Sequence, residues 1–281
     1  MTSRLQYAVF GQPIAHSLSP RIHAMFASQL GIALDYRAIE AGHDEFARAL
    51  DAFTHAGGAG ANVTLPLKQD ALGLCTTISD RARRCGSVNT LIRSGDAWRG
   101  DTTDGSGFLR DLRERHSLEP RGRSVLLLGA GGAARAVAFA LADEHVARLS
   151  IANRTRERAE DLADAIGMSN VDVVGWDALA SADAYDLLVH ATAAGHESAT
   201  FELPHAPLAS QTLCYDLSYG QAAAAFLRWA RAAGATQASD GLGMLIEQAA
   251  ESFAIWHGRR PDTAAVHAAL RRDLPPSLTG G

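Results

Sequence analysis

A chain of 281 residues, 47% hydrophobic and 20% charged, with mean hydropathy near zero, has the make-up of a water-soluble protein long enough for two domains. Its net charge of −5 excludes a global basic field for nucleic acid or anionic lipid, and the longest apolar region, 125–142, is broken by three glycines and Arg135, which excludes a membrane span. Three cysteines without a C-x-x-C pair, eleven histidines without metal-ligand spacing and no basic-then-apolar leader point to a reduced, cytoplasmic protein with no structural disulfide, metal or secretory signal.

Leu5 to Phe10 reads as a strand, and Gly11-Gln12-Pro13 turns the chain. Ser19 offers an N-cap with Pro20 at the first helical position, and Gly31 stops that helix. Leu34 to Glu40 is a second strand. His43 to His55 is helical, because Phe46, Leu50 and Phe53 recur at i, i+4 and i+7. A third strand, Gly60 to Thr64, ends at Pro66, and short helical pieces run from Lys68 to Cys85. Val88 to Arg93 and Trp98 to Gly100 form a hairpin through Ser94-Gly95-Asp96. A helix from Phe108 to Arg115 bridges to a second unit.

There the alternation resumes with an apolar strand, Val125-Leu126-Leu127-Leu128, ending in Gly129-Ala130-Gly131-Gly132-Ala133, with a helix from Ala133 to Ala142. Glycines at such a turn let the backbone approach a pyrophosphate, which sits on the free N–H groups of the helix start. The loop alone is equally consistent with an ordinary tight turn. The next strand, Leu149 to Ala152, adds information at its end. A dinucleotide fold that binds the unphosphorylated ribose carries an acidic residue roughly 20 positions after the loop. This chain instead has Asn153-Arg154-Thr155-Arg156-Glu157-Arg158, whose guanidinium, hydroxyl and amide groups suit an anionic 2′-phosphate. NADP is the cofactor this implies. A helix (Arg158–Ile166), strands near 171–174, 187–190 and 213–217, and helices at 221–233, 243–256 and 263–272 follow. That succession predicts a parallel, doubly wound sheet.

Polar residues of the first half gather at element ends. Ser17 and Ser19 could hold a carboxylate beside a helix N-terminus, or Ser19 could merely cap that helix. Lys68, after Thr64-Leu65-Pro66-Leu67, could be a surface charge. Asn89 and Asp104 could be ordinary turn residues.

Taken together and in order, these segments resemble shikimate dehydrogenases from Tyr7 to about Leu270. The resemblance rests on 9–20 (Val9-Phe10-Gly11 through Ser17-Leu18-Ser19-Pro20), Gly60-Ala61-Asn62-Val63-Thr64-Leu65-Pro66-Leu67-Lys68 and Ser87-Val88-Asn89-Thr90. It continues through the Asp104-Gly105 turn, the glycine loop, Asn153-Arg154-Thr155 and Asp240-Gly241-Leu242-Gly243-Met244-Leu245.

The resemblance implies two α/β domains with a cleft between them. A substrate domain would comprise 1–106 and 240–275, a Rossmann-like NADP domain 107–239, and a flexible tail 276–281. It implies that Ser17 and Ser19 hold the substrate carboxylate, that Thr64, Asn89, Asp104 and Gln248 bind ring hydroxyls, that Tyr219 lines the substrate pocket, and that Lys68 and Asp104 form the catalytic centre. On the cofactor side it implies Gly129, Ala130, Gly131, Gly132, Ala133, Asn153, Arg154, Thr155, Arg158, Thr192, Leu217 and Gly241, with Gly241 and Gly243 giving the nicotinamide room. The reaction implied is interconversion of 3-dehydroshikimate and shikimate with NADPH, on the route to chorismate and the aromatic amino acids. A lysine can take and return the hydroxyl proton while an aspartate orients it. The partners implied are the small-molecule substrate and, as an open possibility, a second copy in a homodimer.

Three positions depart from the family pattern: Thr102 stands for Asn in G-D-N-T-D-G, His190 for Asn in N-A-T-x-x-G (190–195), and Ser218 for an aromatic. Competing readings are a quinate/shikimate dehydrogenase of relaxed cofactor use, which should carry an acidic residue near Arg154, and a non-catalytic NADP-binding regulatory module, which should lack Lys68 or Asp104. A folate-type methylene dehydrogenase would have little use for the serine pair.

Overall fold

Twelve strands, six to a sheet, organise the described residues. The computed structural model describes residues 4–181, 183–192, 203 and 208–274. The tail 276–281 and the segment 193–195 of the N-A-T-x-x-G-like motif lie outside the described residues. Two units divide the chain, Met1–Gly107 with Ile246–His267 and Phe108–Leu245 with Ala268–Gly281.

The sheet of the first unit contains β1 (Leu5–Gly11), β2 (Leu34–Glu40), β3 (Gly58–Val63), β4 (Thr77–Ile78), β5 (Thr90–Ser94) and β6 (Ala97–Asp101), in the order β2-β1-β3-β5-β6-β4. β1 runs parallel to β2 and β3, whereas β5 is antiparallel to both β3 and β6. The carboxyl ends of β1, β3 and β6 and the start of β5 therefore share one edge. The hairpin turns at Gly95, whose φ of 61° is the left-handed conformation glycine adopts without a Cβ penalty. Helix His43–His55 buries the predicted Phe46, Leu50 and Phe53 against Phe10, Val63, Leu91 and Trp98. Full burial of each such side chain is worth roughly 1.5–3 kcal/mol. At its start the Glu45 carboxylate accepts the Gly42 N–H at 2.8 Å, satisfying a donor that the helix leaves unpaired.

Two boundaries differ from expectation, and each bears on the site. Helix Ser19–Leu30 has Leu18 as its N-cap with no side-chain cap; the Ser19 N–H donates to Ser17 Oγ at 3.3 Å. Ser19 is thus the first helical residue and its hydroxyl is not a cap. The bridging helix runs Asp104–His116, so Asp104 stands in a first helical turn instead of an isolated turn. Gly105 and Gly107 disfavour helix locally, but packing overrides them. A Cβ on Gly107 would lie 2.6 Å from Gln248 N and 2.7 Å from Gln248 Cβ, so only glycine lets the two helices approach there.

The second unit carries β7 (Ser124–Leu128), β8 (Arg148–Ala152), β9 (Val171–Val173), β10 (Tyr185–His190), β11 (Leu208–Asp216) and β12 (Gln237–Ser239). All pairs are parallel in the order β12-β11-β10-β7-β8-β9, the doubly wound arrangement. The order reverses between β7 and β10, which is the switch point where such sheets bind ligands. Val125 to Leu128 are fully buried, as a central parallel strand covered on both faces requires. Phe226 and Trp229, from helix Ala224–Ala232, pack on Leu126, Leu128, Leu188 and Cys214. A 3₁₀ turn, Gly220–Ala223, precedes that helix where a continuous helix from 221 was expected. Helix Leu242–His257 falls partly in each unit.

Candidate active site

At the shared edge of the first sheet, Lys68 Nζ and Asp104 Oδ2 lie 2.5 Å apart, with side chains only 14% and 5% exposed. Lys68 is no surface charge: its main-chain carbonyl accepts the Val88 N–H at 2.9 Å, tying the segment after β3 to the start of β5. Asn89 Nδ2 donates to Asp104 Oδ1 at 2.8 Å and lies 2.9 Å from Thr103 Oγ1 and 3.2 Å from Gln248 Oε1. Asn89 Oδ1 accepts from Thr103 N at 2.9 Å and Thr90 Oγ1 at 2.8 Å. One buried amide thus fixes the carboxylate that in turn holds the lysine. A second layer fixes the approach to Asp104. The Ser79 hydroxyl donates to Asp101 at 2.6 Å, Arg81 pairs with it at 2.7 Å, and Arg81 also reaches Glu251 at 2.6 Å. Burial pushes the Asp101 pKa up, but Arg81 and Ser79 outweigh it and hold the carboxyl below its usual range.

Lys68, Asn89, Asp104 and Gln248 are therefore in one hydrogen-bonded group. Ser17 and Ser19 sit together after β1, the first partly and the second fully buried. Thr64 follows β3, its N–H on Phe10 O at 2.8 Å, and its backbone neighbour Leu65 receives the Gln12 N–H at 3.0 Å. Tyr219 lies in the second unit, directly before the 3₁₀ turn.

In that unit Gly129 has φ 118°, and a Cβ there would sit 2.7 Å from Ala191 O, so the loop turns against the chain leading to Thr192. Gly131 is the N-cap of helix Gly132–Asp143 and supplies no side-chain cap, leaving first-turn N–H groups of Gly132 and Ala133 for an anion. The helix begins one residue before the expected Ala133. Asn153 donates to Thr155 O at 2.7 Å, and Thr155 is the N-cap of helix Arg156–Ile166, two residues earlier than predicted. Arg156 is engaged by Glu160 at 2.7 Å, whereas Arg154 and Arg158 are exposed and have no ion-pair partner among the described residues. Leu217 N donates to His190 O at 2.8 Å, and Gly241 N to Ser218 O at 2.8 Å. A side chain on Gly241 would overlap the Leu217 carbonyl and one on Gly243 the Asp111 carboxylate, so the neighbours that demand glycine at both positions belong to the protein.

Two residues escaped the sequence reading. Thr103, fully buried, contacts Asn89 and lies 3.3 Å from Gln248 Oε1. Ser252, also fully buried, accepts from Asn62 Nδ2 at 3.0 Å and lies 2.8 Å from Thr90 Oγ1. The signal for Ser252 is a polar residue four after Gln248 on an otherwise apolar helical face.

Residues 9–91 match the shikimate dehydrogenase substrate binding domain, 112–218 the shikimate / quinate 5-dehydrogenase family, and 241–271 the shikimate 5'-dehydrogenase C-terminal domain. The NADP(+) shikimate dehydrogenase of Stenotrophomonas maltophilia (strain R551-3) is 54% identical over 97% of both chains. The crystal structure of shikimate dehydrogenase from Aquifex aeolicus superposes with a TM-score of 0.86 at 30% identity, covering 96% of this chain and 99% of that one. The Thermus thermophilus shikimate 5-dehydrogenase, solved with NADP(H) and shikimate, gives 0.82 at 34% identity, with 96% and 100% covered. Among the described residues no helix is long and apolar enough to cross a membrane.

Proposed function

The chain belongs to the shikimate dehydrogenase family, and from that membership we propose that it catalyses the reversible NADPH-dependent reduction of 3-dehydroshikimate to shikimate, a step toward chorismate and the aromatic amino acids. The observation that carries this reading is the buried Lys68–Asp104 pair anchored by Asn89. When bound, NADPH supplies the hydride. Lys68 gives its proton to the substrate oxygen as the carbonyl becomes an alcohol, and takes it back in the reverse direction. Asp104 fixes the ammonium and bonds a ring hydroxyl, while Asn89 and Gln248 present amides to the hydroxyls. Ser17 and Ser19 receive the carboxylate, with Thr64 and Tyr219 completing the substrate contacts. Gly129 to Ala133, Asn153, Arg154, Thr155, Arg158, Thr192, Leu217 and Gly241 receive the dinucleotide. Uncapped N–H groups, a close-turning glycine and two arginines without ion-pair partners among the described residues suit its phosphates.

Absorbance at 340 nm, with shikimate or quinate offered against NADP or NAD, tests this. Shikimate with NADP should dominate, and equal kcat/KM for the two cofactors would overturn the cofactor assignment.

The same reading places the protein in the cytoplasm. None of its three cysteines is in a disulfide, and burial pushes Cys75 up to about 11 and Cys214 to about 12, which keeps both thiols protonated. It also includes a homodimer, for which light scattering should return twice the 29.7 kDa chain mass.

A further inference from the structure

The Asn89 amide that holds Asp104 is itself held by buried polar groups that the proton and hydride steps leave unused, all within the first unit. Asn62 on β3 stands opposite Thr90 on β5 in the antiparallel ladder. Ser252, from helix Leu242–His257, lies against both, with Oγ 3.0 Å from Asn62 Nδ2 and 2.8 Å from Thr90 Oγ1. Tyr36 on β2 donates its phenol O–H to Asn62 Oδ1 at 2.8 Å. Tyr36, Asn62, Asn89, Thr90 and Ser252 are all buried.

Two main-chain groups fix the direction of this series. The Asn89 carbonyl only accepts, so the Asn62 side chain turns Nδ2 toward it, at 3.1 Å, and Oδ1 toward Tyr36. Burial pushes the Tyr36 phenol well above its usual pKa, so it stays a donor. At the other end the Thr103 N–H only donates, so Asn89 turns Oδ1 toward it, at 2.9 Å, and Nδ2 toward Asp104. Asn89 Oδ1 also takes the Thr90 hydroxyl proton at 2.8 Å. With that proton committed, Thr90 Oγ1 is the acceptor toward Ser252, and the Ser252 hydroxyl is the donor across the 2.8 Å contact. Ser252 in turn takes an Asn62 N–H on its own oxygen. The Gln248 carbonyl, one helical turn earlier and 3.0 Å away, competes for the Ser252 proton, and Thr103 Oγ1 lies 3.2 Å off.

We propose that Ser252 is a positioning residue for the reaction. With Asn62 and Tyr36 behind it, it keeps the Thr90 hydroxyl turned onto Asn89, and so keeps the Asn89 amide on the carboxylate that holds Lys68. This role rests on the reading of Lys68 and Asp104 as the acid–base centre. Without the Ser252 hydroxyl, Thr90 Oγ1 loses its donor in a buried place, where an unmet polar atom is costly. The Asn62 amide, 3.3 Å from Thr90 Oγ1, is a longer and weaker substitute.

Ser252→Ala, Thr90→Val and the double variant test this. Turnover of shikimate with NADP gives kcat, fluorescence titration gives the NADPH Kd, and circular dichroism melting verifies folding. Ser252→Ala should lower kcat roughly three- to tenfold, the worth of one neutral hydrogen bond, with the NADPH Kd unchanged. Thr90→Val should lose at least as much. The double variant should be no slower than Thr90→Val alone, because Ser252 acts through Thr90.

A side chain that merely packed would lower the melting temperature and leave the kcat of the folded protein in place. A folded Ser252→Ala with wild-type kcat, an NADPH Kd that rises with the fall in kcat, or losses that multiply in the double variant would each overturn the role while the wild type turns over. Wild-type protein without turnover overturns the functional reading as well. If Ser252→Ala or Thr90→Val fails to fold, Tyr36→Phe carries the test from the far end of the series, since it keeps the ring stacked on His23 and removes only the donor. Its kcat should fall roughly two- to fivefold with NADPH affinity retained; an unchanged kcat overturns the role.

Discussion

The lysine at position 68 has one neighbour that matters for its chemistry, the Asp104 carboxylate at 2.5 Å. Lys68→Ala should fold and bind NADPH but lose roughly 10²–10⁴-fold in kcat, the usual worth of a positioned acid–base group. Lys68→Arg should not restore turnover, because a guanidinium does not release a proton near neutral pH. Steady-state rates on variants with native circular dichroism decide this, and near-wild-type turnover in Lys68→Ala would move the proton transfer elsewhere. Ser17→Ala and Ser19→Ala should raise KM for shikimate while leaving NADPH affinity in place. Since the Ser19 hydroxyl does not cap its helix, Ser19→Ala should also avoid the ~1 kcal/mol loss of a removed cap. A fall in NADPH affinity with constant shikimate KM would show the pair to be misassigned.

Among the elements, the contact of helix Asp104–His116 with helix Leu242–His257 is the most exacting. Gly107→Ala improves intrinsic helix propensity by about 1 kcal/mol, yet its Cβ would press on Gln248 N and Cβ. Overpacking of this kind costs roughly 1–3 kcal/mol. Thermal melts should therefore show net destabilisation, with a raised shikimate KM because Gln248 is displaced; a stabilised Gly107→Ala would contradict the packing. The start of helix Arg156–Ile166 carries a separate expectation. Arg154→Ala with Arg158→Ala should cut the preference for NADP over NAD by on the order of 10² or more, from about 1.5–3 kcal/mol per charge-assisted bond. An unchanged preference would exclude both arginines from the 2′-phosphate.

The long periodic elements were legible in the sequence, as Phe46, Leu50 and Phe53 show. The short strands Thr77–Ile78 and Gln237–Ser239 were not, because two or three residues carry no period and are held by neighbouring strands. The start at Asp104 was hidden for a different reason: Gly105 and Gly107 argue locally against a helix that distant packing imposes. Lys68, Asn89 and Asp104 could be named from their motifs, whereas Thr103 and Ser252 join the group through contacts that include ones 145 and 162 positions away in the chain, with Gln248 and Thr90.

For the whole molecule, the clearest pH dependence traces to His23. It is fully buried and stacked on Tyr36 at 4.2 Å and 5°, with Asn62 the only polar side chain that opposes its loss of charge. Burial, with a further push from His257, lowers its pKa from 6.5 to about 3. Between those values the unfolded chain binds a proton that the folded chain refuses. Stability therefore falls as pH drops below 6.5, by at most about 1.4 kcal/mol per pH unit from this group. In His23→Phe this contribution is gone, so urea midpoints between pH 7 and 4.5 should decline less steeply than in the wild type. Parallel declines would remove His23 from the account.

The first unit is also discontinuous, since Ile246–His267 returns to complete what Met1–Gly107 begins. On the ribosome this separates its two parts in time. At about 5–20 residues per second, synthesis of the intervening segment takes on the order of ten seconds. Throughout that interval the nascent sheet holds Asn62, Thr90 and Thr103 without Ser252, and Phe26 without its packing partner Phe253. The emerging first unit thus lacks part of both its apolar and its polar contacts until that helix is made. Gln248, proposed above to bind a substrate hydroxyl, arrives only with the helix that closes that face, so on that proposal substrate binding waits for the return of the chain.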